Sequence, residues 1–166
     1  ILLLLLLALL LLPYLVTPFY RSGQPVSALM AWRTLTGAPV TRHWLDFGAM
    51  SPYLPRSVVG SEDAHFCKHH GVDWGALREV IDDAGDGEVA RGGSTITQQV
   101  AKNFLLSSDQ TLSRKAKEAI LSLRIEQTYS KDRILELYLN EIFFGLNSYG
   151  IASAALTYFD KSVTEL

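Results

Sequence analysis

The chain has 166 residues, with 15 basic and 17 acidic side chains and a formal net charge of −2. That length fits one domain with a real core, and a nearly balanced charge gives no general pull toward nucleic acid, so any anion site must be local. The single cysteine, Cys67, excludes an intrachain disulfide and a Cys-based zinc set, and reads as a small buried hydrophobe.

The first element is apolar. Ile1 to Leu12 is almost pure leucine, and Leu15 and Val16 extend the run. Sixteen helical residues span about 24 Å, short of the roughly 30 Å hydrocarbon core of a bilayer. With no initiator Met and no basic flank, the expectation is a transmembrane anchor over residues 1–20, truncated at its start. No small-residue cleavage site comes after it. Tyr14, Pro18, Phe19 and Tyr20 instead form an interfacial belt, which favours an anchor over a signal peptide and places the chain beyond Arg21 outside the cytoplasm.

After the anchor, Pro25 to Gly37 reads as a short helix with Leu29, Trp32 and Leu35 as its apolar positions. Pro39 to Phe47 has a strand-like alternation, as in a short extended arm. Pro52 to Ser61 leads into a polar patch, Val72 to Ala84 is a helix, and Gly85 to Gly93 is a glycine-rich turn. Four helices complete the chain: Thr95–Leu106, Thr111–Tyr129 with Leu112, Ala116, Ile120 and Leu123 as its buried stripe, Lys131–Ile142 capped by Ser130, and Ser148–Phe159. No strand pairs are evident, so the fold class is mainly α.

Three segments carry chemistry. In Glu62–Asp73, two adjacent carboxylates, Glu62 and Asp63, stand beside three histidines; adjacent acids repel, so the pair needs a task or strong partners. Metal ligation by His65, Cys67, His69 and His70 is disfavoured, because their crowding does not match the spaced pairs of zinc sites. In Gly92–Asn103, Thr95 and Gln98 have the form of a capping box, and a helix start of this kind is a natural anion site. Thr95, Gln98, Gln99 and Lys102 share one face, a stripe suited to a sugar beside a phosphate. In Ser113–Glu118, Arg114, Lys117 and Glu118 share a face on which cations could grip a pyrophosphate. Taken singly, each segment also reads as an ordinary polar turn, capped helix or solvated basic face.

Together, in this order, they resemble glycosyltransferase family 51, the peptidoglycan glycosyltransferases. The matching signatures are ED-x-x-F-x-x-H-x-G at Glu62–Gly71, GGSTITQQ-x-x-KN at Gly92–Asn103, RK-x-KE at Arg114–Glu118, K-x-x-IL-x-x-YLN at Lys131–Asn140, and a fifth at Tyr149–Lys161. The run Phe66–Leu77 is most similar to the monofunctional biosynthetic transglycosylases. The resemblance implies a lysozyme-like helical domain over residues 21–166, truncated at its C-terminal end, behind the anchor. It implies polymerisation of lipid II into β-1,4-linked glycan with inversion and release of undecaprenyl pyrophosphate, on the outer face of the bacterial inner membrane.

By that resemblance Glu62 is the general base and Glu118 the second catalytic glutamate. Asp63, Ser94, Thr95, Gln98, Gln99, Lys102, Asn103, Arg114 and Lys117 bind substrate. No cofactor or protein-held metal is required, although a divalent cation (Mg or Mn) could assist at the pyrophosphate. The expected partners are lipid II, the growing glycan, the membrane and other cell-wall synthesis proteins, with no nucleic acid. The chain departs from the family pattern at Ala64 and His65, where basic residues are usual, at Gln110, often arginine, and at Asp160, usually glycine. A lysozyme-type hydrolase is the rival enzyme, but it needs a protonated acid and has no use for a cation cluster. A non-catalytic scaffold is the other rival, and the intact Glu62 and Glu118 argue against it.

Overall fold

The computed structural model describes residues 11–12, 15, 17–38, 42–78, 93–105 and 112–165. Six helices are bounded within it: α1 Ala28–Leu35, α2 Tyr53–Glu62, α3 Ile96–Leu105, α4 Leu112–Thr128, α5 Lys131–Glu141 and α6 Ile151–Phe159. Short 3-10 turns occupy Thr17–Arg21, Phe47–Ala49 and Val163–Glu165. Among the described residues there is no strand, only an isolated antiparallel bridge between Phe143 and Tyr149. Residues 74–78 are helical. The remainder of the helix expected to Ala84, the glycine-rich turn apart from Gly93, position 110 and most of the expected anchor lie outside the described residues. No helix among the described residues is long and apolar enough to cross a membrane.

The core forms around α3, which packs against both α4 and α5. Ile96, Val100, Ala101 and Phe104 recur at helical spacing and are buried against Leu121 and Ile125 of α4 and Ile134, Leu135, Tyr138 and Leu139 of α5. Phe66, from the loop after α2, is fully buried in the same cluster. α5 starts as the sequence suggests: Ser130 Oγ accepts from the Arg133 amide, and Asp132 sits in the first turn, favoured by the helix dipole.

Three expectations are corrected. Of the expected buried stripe of α4, the Leu112 side chain lies outside those described, and Ala116, Ile120 and Leu123 are exposed, Ile120 by 54% and Leu123 by 37%. The buried line is Glu118, Leu121, Ser122 and Ile125. Hydropathy misses this phase because two of its members are polar. Ser122 is inside because the loop after α2 lies on its backbone: a Cβ added to Gly71 would stand 2.7 Å from the Ser122 carbonyl carbon and oxygen.

The arm expected over Pro39 to Phe47 is described from residue 42 onward, and there it pairs with no strand. Its backbone is instead satisfied by α5 side chains. The Leu45 amide donates to Asn140 Oδ1 at 2.8 Å, Asn140 Nδ2 donates to the Leu45 carbonyl at 2.9 Å, and the Phe47 amide donates to Glu136 Oε1 at 2.9 Å. Arg42 adds an ion pair to buried Glu141 at 2.8 Å. Cys67, expected inside, is exposed: Phe66 takes the inward position of its turn, and its neighbours Ala64, His65, Cys67 and Lys68 all face out.

The start of α6 depends on Gly150, whose φ of 80° is one that L side chains rarely adopt. A Cβ there would stand 2.4 Å from the Asn140 carbonyl oxygen. Gly150→Ala is therefore expected to destabilise the fold by about 2–4 kcal/mol, measured as a shift in the urea midpoint. An unchanged midpoint would mean that α5 and α6 do not approach this closely.

Candidate active site

The adjacent acids of the first segment part company at the end of α2. Glu62 is its last residue and is exposed, while Asp63 leaves the helix with an extended φ of −159° and turns inward. Both Asp63 carboxylate oxygens lie 2.9 Å from His69 Nε2, and Oδ2 also accepts from the Ile96 amide at 3.0 Å. The Gly71 amide donates to His69 Nδ1 at 3.2 Å, which leaves Nε2 as the nitrogen that donates to Asp63. Lys131 closes the loop from below. Its Nζ donates to the His69 carbonyl at 2.9 Å and to Glu126 at 2.8 Å, and lies 4.3 Å from the Phe66 ring centroid.

These bonds change the reading of the α3 start. The capping box forms: Thr95 N donates to Gln98 Oε1 at 2.9 Å, and Gln98 N donates to Thr95 Oγ1 at 3.2 Å. Thr95 Oγ1 itself donates to the Gly71 carbonyl at 2.6 Å. The helix start is therefore not an open anion site, because the internal carboxylate of Asp63 already occupies it. Asp63 and Thr95, expected to hold substrate, direct their oxygens to the scaffold, and Gln98 gives its side-chain oxygen to the cap.

Two clefts meet above this scaffold. One, of about 160 Å³, is lined by Glu62, His65, Asp73 and Ser94 among others. The second, of about 270 Å³, is lined by Ser94, Gln98, Gln99, Lys102, Arg114, Lys115 and Glu118. Ser94 borders both, and Gln99 Nε2 donates to Glu62 Oε2 at 3.1 Å, so the exposed glutamate and the cationic wall share one surface.

In the second cleft Glu118 is buried and ion-paired with Arg114 at 3.0 Å and Lys115 at 2.9 Å; Lys115 Nζ also donates to Ser94 Oγ at 2.7 Å. Three cations (Lys102, Arg114, Lys115) against one carboxylate (Glu118) leave +2 on the wall, 3 − 1. A concave surface of one sign concentrates counter-ions of the other.

Lys117 is not part of this wall. Each helical residue turns by about 100°, so with Glu118 facing inward Arg114 and Lys115 flank it, whereas Lys117 points a quarter-turn or more away and is exposed. Lys115 is the residue that sequence reasoning passed over; its spacing of three from Glu118 was the available signal. Asn103 is half-buried and lines neither cleft, one turn beyond Gln99.

On the first cleft's far side His65 Nδ1 lies 3.0 Å from Asp73 Oδ2. Backbone N–H groups, that of Ala76 foremost, hold the Asp73 carboxyl below its ordinary range, with His65 adding to the effect. Tyr138, on α5, has its hydroxyl pushed up to about 12, by burial first and then by the negative charge of Glu62. Among the described residues no group of three or more His, Cys, Asp or Glu side chains could hold a metal ion.

Comparison with known proteins converges on one family. The transglycosylase family model matches residues 29–166. A biosynthetic peptidoglycan transglycosylase of Nitrobacter hamburgensis is 57% identical over 159 residues, covering 95% of this chain and 70% of the relative. One of Rhodopseudomonas palustris is 56% identical over 161 residues, covering 96% of this chain and 68% of the relative. A penicillin-binding protein 1A of Neisseria lactamica is 49% identical over 150 residues, 89% of this chain and 19% of that protein.

If Asp63 is scaffold, its removal is felt in stability. Asp63→Ala is expected to cost about 2–4 kcal/mol, because it strands the buried Ile96 amide and the His69 ring. Glu62→Gln, at an exposed position, is expected to leave the thermal midpoint within about a degree or two. Equal stability of wild type and Asp63→Ala would return Asp63 to the list of substrate ligands.

Proposed function

Because this chain belongs to the transglycosylase family, glycosyltransferase family 51, and is a glycosyltransferase of peptidoglycan synthesis, we propose that it polymerises lipid II, with Glu62 as general base. The acceptor's 4-hydroxyl gives its proton to Glu62. The oxygen attacks the donor's anomeric carbon from the face opposite the leaving group, forming a β-1,4 bond as the bond to undecaprenyl pyrophosphate breaks. Inversion follows from that single displacement.

What supports this reading is the junction of an exposed carboxylate with a +2 wall through Gln99 and Ser94. Pyrophosphate is a competent leaving group without a strong acid. The requirement is fixed positive charge where negative charge develops, best supplied by preorganised groups that need no rearrangement. Lys102, Arg114 and Lys115 fill that role. Glu118 holds Arg114 and Lys115 in place rather than touching the sugar, since its carboxylate is buried between them. The same wall is redundant for a hydrolase that must protonate a glycosidic oxygen.

A protein-held divalent cation fits poorly. The cationic cleft offers one carboxylate, Glu118, already paired with two cations, whereas Mg or Mn seeks several oxygen ligands. Any such ion would rely on the oxygens of the pyrophosphate itself, and the chemistry above needs none. We further propose a lysozyme-like domain over residues 21–166 carried on the outer face of the bacterial inner membrane by a single-pass anchor in residues 1–20. Its partners are lipid II, the growing glycan and other cell-wall synthesis proteins.

Incubation with labelled lipid II tests the reading. Wild type is expected to yield polymer, and Glu62→Gln none, with its fold intact. Lys115→Ala is expected to lower kcat/KM by roughly 10–100-fold, and Lys117→Ala by less than about 3-fold. Polymer from Glu62→Gln would remove the base from the mechanism, and a larger loss at Lys117 than at Lys115 would misplace the pyrophosphate.

A further inference from the structure

The base must present an oxygen to the acceptor in a defined direction, yet Glu62 is exposed at a helix end, where a glutamate side chain is free to rotate. Among the described residues a single side chain hydrogen-bonds it. Gln99 Nε2 donates to Glu62 Oε2 at 3.1 Å across from α3. The amide nitrogen must be the atom facing Glu62, since a carboxylate only accepts. One carboxylate oxygen is thereby engaged and the other, Oε1, is left for the acceptor hydroxyl. Gln99 sits one helical turn after Thr95, whose neighbour Ile96 is tied to Asp63. The holder of the base and the base itself are thus both referenced to the same scaffold. Gln99 also lines the cleft of Lys102, Arg114 and Lys115, so one carboxamide touches both halves of the site.

Resting on the proposed function, we propose that Gln99 is a positioning residue that aligns Glu62 for the acceptor and links that alignment to the donor cleft, rather than a ligand of the donor sugar. Its amide restricts Glu62 before the acceptor arrives. Because the carboxamide borders the cationic cleft, a donor seated there leaves it fewer orientations without hydrogen-bonding to it, so the base is best aligned when the donor is in place. The scheme needs no additional proton acceptor or cofactor.

The test is steady-state polymerisation of lipid II by the full chain carrying Gln99→Ala, Gln99→Glu and Gln99→Asn, each checked for an unchanged thermal midpoint. Loss of alignment is expected to lower kcat by roughly 10–100-fold with KM changed by less than about 3-fold. Gln99→Glu is expected to be the most impaired, because a carboxylate of the same length cannot donate and repels Glu62. Gln99→Asn, one carbon short of contact, should resemble Gln99→Ala. If the loss falls in KM while kcat holds, Gln99 is a substrate ligand and the inference is overturned. An unimpaired Gln99→Ala overturns it equally. Glu62→Gln, run in parallel, separates the two claims: activity in that variant sinks the base assignment, whereas an inactive Glu62→Gln beside an unimpaired Gln99→Ala sinks only the positioning role.

Discussion

Asp63 reaches inward from the end of α2 to accept from the Ile96 amide and from His69, and the geometry of the clefts depends on that junction. One carboxylate caps α3 and ends α2 at the same point. Glu62 and the Gln99–Lys102 face are therefore held in register by a bond shorter than either side chain. The negative charge sits at the positive end of the α3 dipole, where it is favoured by about 0.3–1 kcal/mol even before burial strengthens it. Phe66 and the Lys131 clamp make the junction rigid from the core side.

This division of labour resolves the puzzle of two adjacent acids. They do not share a task. The inward acid satisfies backbone and imidazole donors, and the outward acid has, among the described residues, one neutral amide partner and access to solvent. Across the cleft the pattern is reversed: Glu118 is buried and holds Arg114, itself mostly buried, and the more exposed Lys115 along the cleft wall. An exposed carboxylate at one end and fixed positive charge at the other suit the proposed displacement, in which a proton leaves one reactant as anionic charge grows on the other.

Much of this was legible in the sequence. The helices from Thr95 onward follow from their 3.6-residue periodicity and caps, and the site segments stand out by residue type. Three kinds of information were not legible. Helix phase failed on α4, because Glu118 and Ser122 are inside while Ile120 is outside, and hydropathy assigns all three the other way. Spacing from Arg114 singles out Lys117, whereas the orientation of Glu118 brings Lys115, three residues before it, into the ion pair. The arm at Leu45–Phe47 alternates like a strand, but Asn140 and Glu136 of α5 complete its hydrogen bonds, a long-range pairing that no local pattern announces. Whether a polar residue faces substrate or scaffold was equally hidden: Thr95, Gln98 and Asp63 share the composition of a binding site and are largely occupied holding it together.

The most direct measurement is a crystal structure of the protein bound to a lipid-linked disaccharide diphosphate. The diphosphate is expected against Lys102, Arg114 and Lys115, the sugar end reaching toward Glu62, and the Asp63 carboxylate still bonded to the Ile96 amide. A diphosphate seated on the first turn of α3 with Asp63 displaced, or on the exposed face of Lys117, would contradict that expectation.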